Sequence, residues 1–227
     1  MQPAAAVSEE AELLDRATLT FAESEGSLVE LDRVNRWCCG ALPLRRTLLP
    51  RLAAGPARVL DLGTGTGRVA HRLVRAAAGK GSRLRLVGID RKLKHLVVGR
   101  ARGVPQLRVV ADARALPFRN GTFSWSFSTL FFHHFDRGTN REILDEMRRV
   151  ASAGAAVVDL RRSRLALWLL NLAFPLLRAG PITRHDGRVS LQRAWTVPEV
   201  RQAVEGLPVA ELRRRFPFRF SLVLRPW

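Results

Sequence analysis

Ala57-Arg58-Val59-Leu60-Asp61-Leu62-Gly63-Thr64-Gly65-Thr66-Gly67-Arg68-Val69-Ala70 is the stretch on which the reading of this chain turns. Val59, Leu60 and Leu62 read as a short buried strand, and Gly63, Gly65 and Gly67 as a tight loop. The spacing of Val69, Leu73 and Val74 opens a helix. Strand, glycine loop and helix N-terminus in that order make a cradle for a small ligand. Glycines let the backbone come close and adopt positive φ, and the first N–H groups of a helix have no internal partners. The spacing is G-x-G-x-G, not the dinucleotide pattern G-x-G-x-x-G. Asp61, just ahead of the loop, would repel a pyrophosphate and suits a ligand bearing an ammonium or a sulfonium.

Outward from this stretch, strands and helices alternate. Strands are expected at 57–62, 84–89 (ending at Asp90), 107–110 (running to Asp112), 122–129 and 155–160. Helices are expected at 67–78, 92–101 and 139–150. The tail reads as a helix near 198–205 and two strands, 209–215 and 218–224, joined at Pro217. The alternation predicts an α/β fold with a doubly wound, mostly parallel sheet, closed by an antiparallel C-terminal hairpin. Ahead of the first strand, residues 1–8 look disordered. Leu13, Leu14, Ala17, Leu19, Phe21, Leu28 and Leu31 suggest one or two amphipathic helices, followed by short helices broken at Gly40, Pro43 and Pro50. Residues 1–54 are thus expected to form a helical lid on a core domain of residues 55–227.

Between the fifth strand and the tail lies a hydrophobic insertion at about 164–190. Its apolar stretch, 165–177, is flanked by Arg164 and Arg178. At 13 residues it is short of the roughly 20 needed to span a bilayer, so no transmembrane segment is expected. It suits a buried cap, an apolar wall for a hydrophobic acceptor, or shallow contact with a membrane surface.

The formal net charge is +18, and of 38 basic residues only Lys80, Lys92 and Lys94 are lysine. Residues 1–35 hold eight acids and two bases, so the basic excess lies in the rest of the chain. Such a balance admits nucleic acid or an acidic membrane surface as partner. The arginines, however, are scattered through every segment, and the cluster Arg213-Arg214-Arg215 lacks the aromatic interleaving of a single-strand binder. The adjacent Cys38 and Cys39 supply neither a disulfide framework nor a zinc site, and no metal-ligand spacing is evident. Free thiols and an acidic, Ala-rich N-terminus point to the cytoplasm.

In a doubly wound sheet ligands bind beyond the carboxyl ends of the strands. Asp61, Asp90 and Asp112 fall on three such ends, and Asp90 lies 23 residues past Gly67, near the offset at which an acid meets ribose hydroxyls. Val59 to Gly67 resembles motif I of class I SAM-dependent methyltransferases, and Gly88-Ile89-Asp90 resembles their second motif. Asp112-Ala113-Arg114-Ala115-Leu116-Pro117-Phe118 with Thr122-Phe123, and Leu130 to Phe135, are similar to the quinone-biosynthesis-like group of that family. The resemblance covers about residues 55–160. It implies a seven-stranded sheet and S-adenosyl-L-methionine (SAM), which carries both an ammonium and a sulfonium, as methyl donor. Its implied cofactor-binding residues are Asp61, Gly63, Thr64, Gly65, Gly67, Asp90, Arg91, Asp112, Ala113 and Thr129. Ser124, where the group has Asp, and Val150 to Gly154, in place of an L-K-P-G-G turn, depart from the pattern.

A narrower likeness, in Asp159 to Arg164, His185-Asp186-Gly187, Ser190 and Phe216 to Arg219, is to small bacterial methyltransferases associated with type III polyketide synthases. It implies an aromatic, polyketide or quinone-like acceptor, with polyketide-pathway enzymes as partners. His133 and His134 are the candidate bases, since histidine titrates near neutral pH, although either could serve a structural role. Arg161, Trp168, His185 and Asp186 are the candidate acceptor-binding residues, the last two placed on a polar loop. An RNA methyltransferase with a basic surface and a non-catalytic SAM-binding partner of a biosynthetic enzyme are the competing readings. An NAD dehydrogenase is opposed by the glycine spacing and by Asp61.

Overall fold

The computed structural model describes residue 10 and residues 12–15, 19–38 and 40–227. Residues 1–8, Ala17 and Cys39, on which expectations above rest, lie outside the described residues. A seven-stranded sheet forms the centre, in the order β3-β2-β1-β4-β5-β7-β6. Strands β1 (Gly55–Leu62), β2 (Ser82–Asp90), β3 (Leu107–Val110), β4 (Phe123–Thr129) and β5 (Ala151–Leu160) run parallel. The hairpin β6 (Val209–Arg215) and β7 (Arg219–Leu224) is antiparallel, with β7 inserted beside β5. The order reverses at β1, which has β2 on one side and β4 on the other, so a crevice opens beyond its carboxyl end.

Both faces of the sheet are covered, which is why the last four residues of β1 are all buried and apolar but for Asp61. Leu60, Leu62, Val157 and Leu222 pack with Ile143, Leu144 and Met147 of α5 (Arg137–Val150). Val59, Phe127, Val158 and Val223 point the other way, toward Ala70 and Leu73 of α3 (Arg68–Ala78) and Leu44 and Leu48 of α2 (Ala41–Leu48). Between β2 and β3 the chain forms α4 (Leu93–Ala101), and α8 (Val197–Ala203) precedes the hairpin.

Several expected boundaries shift. A single helix, α1 (Phe21–Trp37), starts at a capping box formed by Thr20 and Glu23 and runs well past Leu31. Pro43 does not break α2: it occupies the first turn, where no intrahelical N–H is required. Val150 to Gly154 is no turn, since α5 passes directly into β5. Gly154 (φ 148°) is needed there, because a Cβ would lie 2.7 Å from the Leu224 carbonyl oxygen and 2.9 Å from the Trp125 ring. The insertion forms two helices, α6 (Arg164–Leu176) and α7 (Pro181–Arg193). His185 and Asp186 are therefore helical, not on a loop. Among the described residues no helix is long and apolar enough to cross a membrane.

Candidate functional site

One cavity of about 830 Å³ lies over the carboxyl ends of the strands. Its floor is the glycine loop and the strand-end residues. Its roof comes from α1, α6, α7 and the segment around Glu12. Of the residues expected to hold a cofactor, Gly63, Thr64, Gly65, Asp90, Arg91, Asp112, Ala113 and Thr129 line it. Asp61 and Gly67 do not. Gly67 caps α3 at φ 80°, with the Gln106 side chain where a Cβ would stand. Asp61 is buried beneath the loop and accepts a 2.6 Å hydrogen bond from Thr64 Oγ1, while its Oδ1 has no partner. Burial pushes its carboxyl up to about 7 against the Thr64 bond, and the nearby Asp90 charge adds to the rise.

The loop requires glycine at two further points. At Gly63 (φ 66°) a Cβ would meet the Phe131 ring at 2.2 Å. Gly65 (φ 54°) has open space on its Cβ side, and its N–H donates to Asp90 Oδ2 at 3.0 Å. Asp90 also accepts from Lys92 N at 2.9 Å and faces His95 Nδ1 at 3.4 Å. Burial alone would raise its carboxyl; His95 and the two N–H donors outweigh burial and hold it below the usual carboxylate range. Asp112, at the rim, is bound by the Arg114 side chain and backbone, which hold its carboxyl near 2.

Beyond β4 the chain turns sharply. Leu130 adopts φ 56°, a left-handed conformation uncommon outside glycine. The next three N–H groups, of Phe131, Phe132 and His133, converge on Asp159 Oδ2 at 3.0, 2.6 and 3.3 Å. Asp159 Oδ1 meets His133 Nδ1 at 2.8 Å, and Glu12 Oε1 lies 3.4 Å from His133 Nε2. Burial would lower the His133 pKa, but the two carboxylates override it and raise it to about 10. His133 is thus an imidazolium at neutral pH, held at both nitrogens by acids, and offers no free lone pair for proton abstraction.

His134 is different. Its side chain keeps 21% of its exposure, it lines the cavity, and its Nε2 lies 3.9 Å from Glu12 Oε2. Its ring centroid is 4.4 Å from that of His133. Glu12 also accepts from Ser190 Oγ, and the histidines and Ser190 outweigh burial to hold its carboxyl low. Ligand-type atoms of Glu12, His133 and His134 all fall within 4.8 Å of one another, a grouping that spacing along the chain did not announce.

The four residues expected to bind the acceptor are not brought to the cavity. Trp168 is 62% exposed on the outer side of α6. Arg161 forms an isolated bridge with Trp195. Asp186 is buried and accepts from the backbone N–H groups of Leu13 and Leu14 at 2.7 and 2.9 Å, and His185 lies between Asp186 and Glu10. The cavity is instead lined by Ala166, Leu169, Leu170, Ala173 and Phe174 of α6, with Gly187 and Leu191 of α7. Sequence reasoning also missed Asp32 of α1, which faces the glycine loop: it accepts from Thr66 Oγ1 at 3.0 Å and pairs with Arg68 at 3.3 Å. Asp159 is a fourth acid at a strand's carboxyl end, so the rule that found Asp61, Asp90 and Asp112 would have found it too.

Residues 59–154 match the family model of a methyltransferase domain. Two relatives, both named demethylmenaquinone methyltransferase, are 35% identical to this chain. The one from Thermotoga maritima aligns over 109 residues, 48% of this chain and 45% of its own length. The one from Thermus thermophilus aligns over 120 residues, 51% and 52% respectively. The chain thus spans about half the length of the curated relatives it matches. A SAM-dependent methyltransferase from Aquifex aeolicus superposes with a TM-score of 0.62 at 17% identity, over 88% of this chain and 97% of that one. Residues 59–154 are therefore a methyltransferase domain, carried on the fold that S-adenosyl-L-methionine-dependent methyltransferases share.

Proposed function

We propose that the chain moves a methyl group from SAM to an oxygen of a small aromatic, polyketide or quinone-like acceptor. The observation that carries this reading is the continuity of the cavity. One cavity is lined both by the glycine loop with its strand-end acids and by the apolar inner face of α6, and His134 lines it too. The crevice suits the cofactor. Gly65 leaves room for close approach, Asp90 is an ionised carboxylate with lone pairs to spare for two vicinal hydroxyls, and Asp112 with Ala113 stands at the rim for an adenine edge. Asp61 acts from beneath, through Thr64. When bound, SAM supplies an electrophilic methyl group on a sulfonium. A volume of about 830 Å³ leaves space for a second molecule beside it.

The chain's own contribution is to orient the acceptor and take its proton. The α6 wall excludes water and holds a flat apolar body. His134 accepts the phenolic proton, and Glu12 stabilises the imidazolium that forms. His133, already charged and fixed by Asp159, orients Glu12. The name of both curated relatives supports a quinone-like acceptor.

A panel of phenols, hydroxyquinones and alkylresorcinol-type compounds, incubated with SAM and read by mass spectrometry for the gain of one methyl, tests the reading. NMR of the product separates oxygen from carbon methylation. In the same assay His134→Ala should lower kcat by about 10²–10⁴-fold, the usual range for a lost general base, and leave SAM affinity unchanged. A wild-type rate in that variant removes His134 from the chemistry.

A further inference from the structure

We propose that the outer face of α6 seats the protein on the surface of an anionic lipid bilayer. Leu165, Trp168, Leu169, Leu172 and Leu176 are all between 40% and 82% exposed. Their spacing of three and four residues puts them in one stripe along the helix. The opposite face of the same helix, with Ala166, Leu170, Ala173 and Phe174, lines the cavity. One helix therefore presents two apolar faces, and burial explains only the inner one. Monomers seldom leave so continuous an apolar stripe in water without a use for it.

The surroundings of the stripe choose its occupant. Between residues 161 and 193 the chain has seven arginines and one acid, Asp186, and that acid is buried. Arg164 stands at the start of α6. Arg178 follows its end, and Arg33 of α1 donates to the Leu177 carbonyl oxygen at 3.1 Å. Arg188 runs alongside, its guanidinium 5.6 Å from the Phe174 ring centroid and its Nε bonded to Asn171 at 2.7 Å. Apolar side chains flanked by cations suit an interface where acyl chains meet negative headgroups. A second copy of this chain suits it poorly, because pairing two α6 stripes antiparallel would set Arg164 against Arg178. Thirteen residues extend about 20 Å, short of the ~30 Å hydrocarbon core, so the helix lies in the surface plane.

Docking there would serve the cavity beneath. Leu169 belongs to both the stripe and the cavity lining, and the exposed Trp37 and Phe216 also belong to that lining. A lipophilic acceptor dissolved in the bilayer would then reach the chamber without crossing water. This last point rests on the proposed acceptor class, whereas the docking itself does not.

Vesicle flotation with the full chain tests docking without turnover. Vesicles of phosphatidylcholine with phosphatidylglycerol should carry the protein up the gradient, and vesicles of phosphatidylcholine alone should carry much less. The double variants Leu165→Ser/Leu172→Ser and Arg164→Glu/Arg178→Glu should each reduce partitioning by at least about tenfold. Both should keep wild-type melting curves and SAM affinity by calorimetry. Failure to float on the anionic vesicles, or equal flotation of the variants, overturns the proposal. So does a concentration-dependent dimer in sedimentation velocity that the leucine variant abolishes while vesicles bind neither protein. Acceptor methylation is read separately, so docking and methyl transfer can fail independently.

Discussion

Asp159 gathers three consecutive backbone N–H groups and fixes a charged histidine with one carboxylate. The left-handed Leu130 and the turn after it are compatible with burial because of that carboxylate. Its partner His133 sets a pH dependence whose sign follows from linkage. The folded-state pKa, about 10, lies above the ordinary value of 6.5, so folding binds the proton more tightly. The stabilisation is complete below about 6.5, declines as pH rises from there, and is gone above about 10. The stability advantage of wild type over His133→Gln, from urea midpoints, should therefore shrink between pH 6 and pH 10; a constant difference would show that the imidazolium is not what stabilises the turn. Asp90 carries a second residue-scale prediction. Asp90→Asn keeps one acceptor oxygen for the loop but loses the charge, so SAM affinity by calorimetry should fall by about 10- to 100-fold with little change in melting temperature. An unchanged Kd would move the ribose site elsewhere. Asp61, Asp90 and Asp112 were legible because strand ends are legible. That Asp61 works beneath the loop was not, since its position depends on how Thr64 folds back over it.

At the scale of elements, the roof of the site is assembled from pieces far apart in the chain. Asp186 of α7 holds Leu13 and Leu14 by their N–H groups, Lys92 holds the Leu14 carbonyl oxygen at 2.9 Å, and Glu30 of α1 accepts from Gly180 N and Thr183 Oγ1 at 2.7 and 2.6 Å. Through these bonds Glu12 is kept against the histidines. Asp186→Ala would leave two N–H groups short of their acceptor, at about 1–3 kcal/mol for a buried donor. Hydrogen exchange at the Leu13 and Leu14 amides should accelerate, and kcat should fall as Glu12 loses its place. Unaltered exchange would mean that other contacts hold the segment. The helix carrying Asp186 was misread for a physical reason. Its buried positions are Thr183, Asp186, Val189 and Leu191, two of them polar, so its apolar periodicity is faint, and Gly180, Pro181 and Gly187 imitate a turn. By contrast β1, β2, β4 and α3 announce themselves: β1 and β2 end in short apolar-rich runs, β4 alternates aromatic residues with serine, and the amphipathic α3 repeats its apolar residues every three or four positions.

Over the whole molecule, part of the charge of +18 is tied into structure. Arg108, Arg148, Arg149 and Arg162 donate to main-chain carbonyl oxygens, and Arg51, Arg213 and Arg215 surround Glu211. Methylation of a small soluble phenol should consequently change less than about threefold between 50 and 200 mM salt. A site built on six to ten phosphate contacts would lose about 10³–10⁵ in affinity over the same range, and a slope of that size would restore RNA as substrate. The sequence by itself determined the mostly parallel sheet, the glycine loop after its first strand and the acids on successive strand ends. These follow from local periodicity and from glycines whose backbone angles other residues rarely adopt. Only the tertiary structure decided that Glu12 and Asp159 bracket His133, and that the inner face of α6, rather than His185 and Asp186, lines the cavity. Those outcomes depend on contacts between groups up to 150 residues apart or more, such as Glu30 with Gly180, and no local pattern in a chain encodes which distant carboxylate will meet which imidazole.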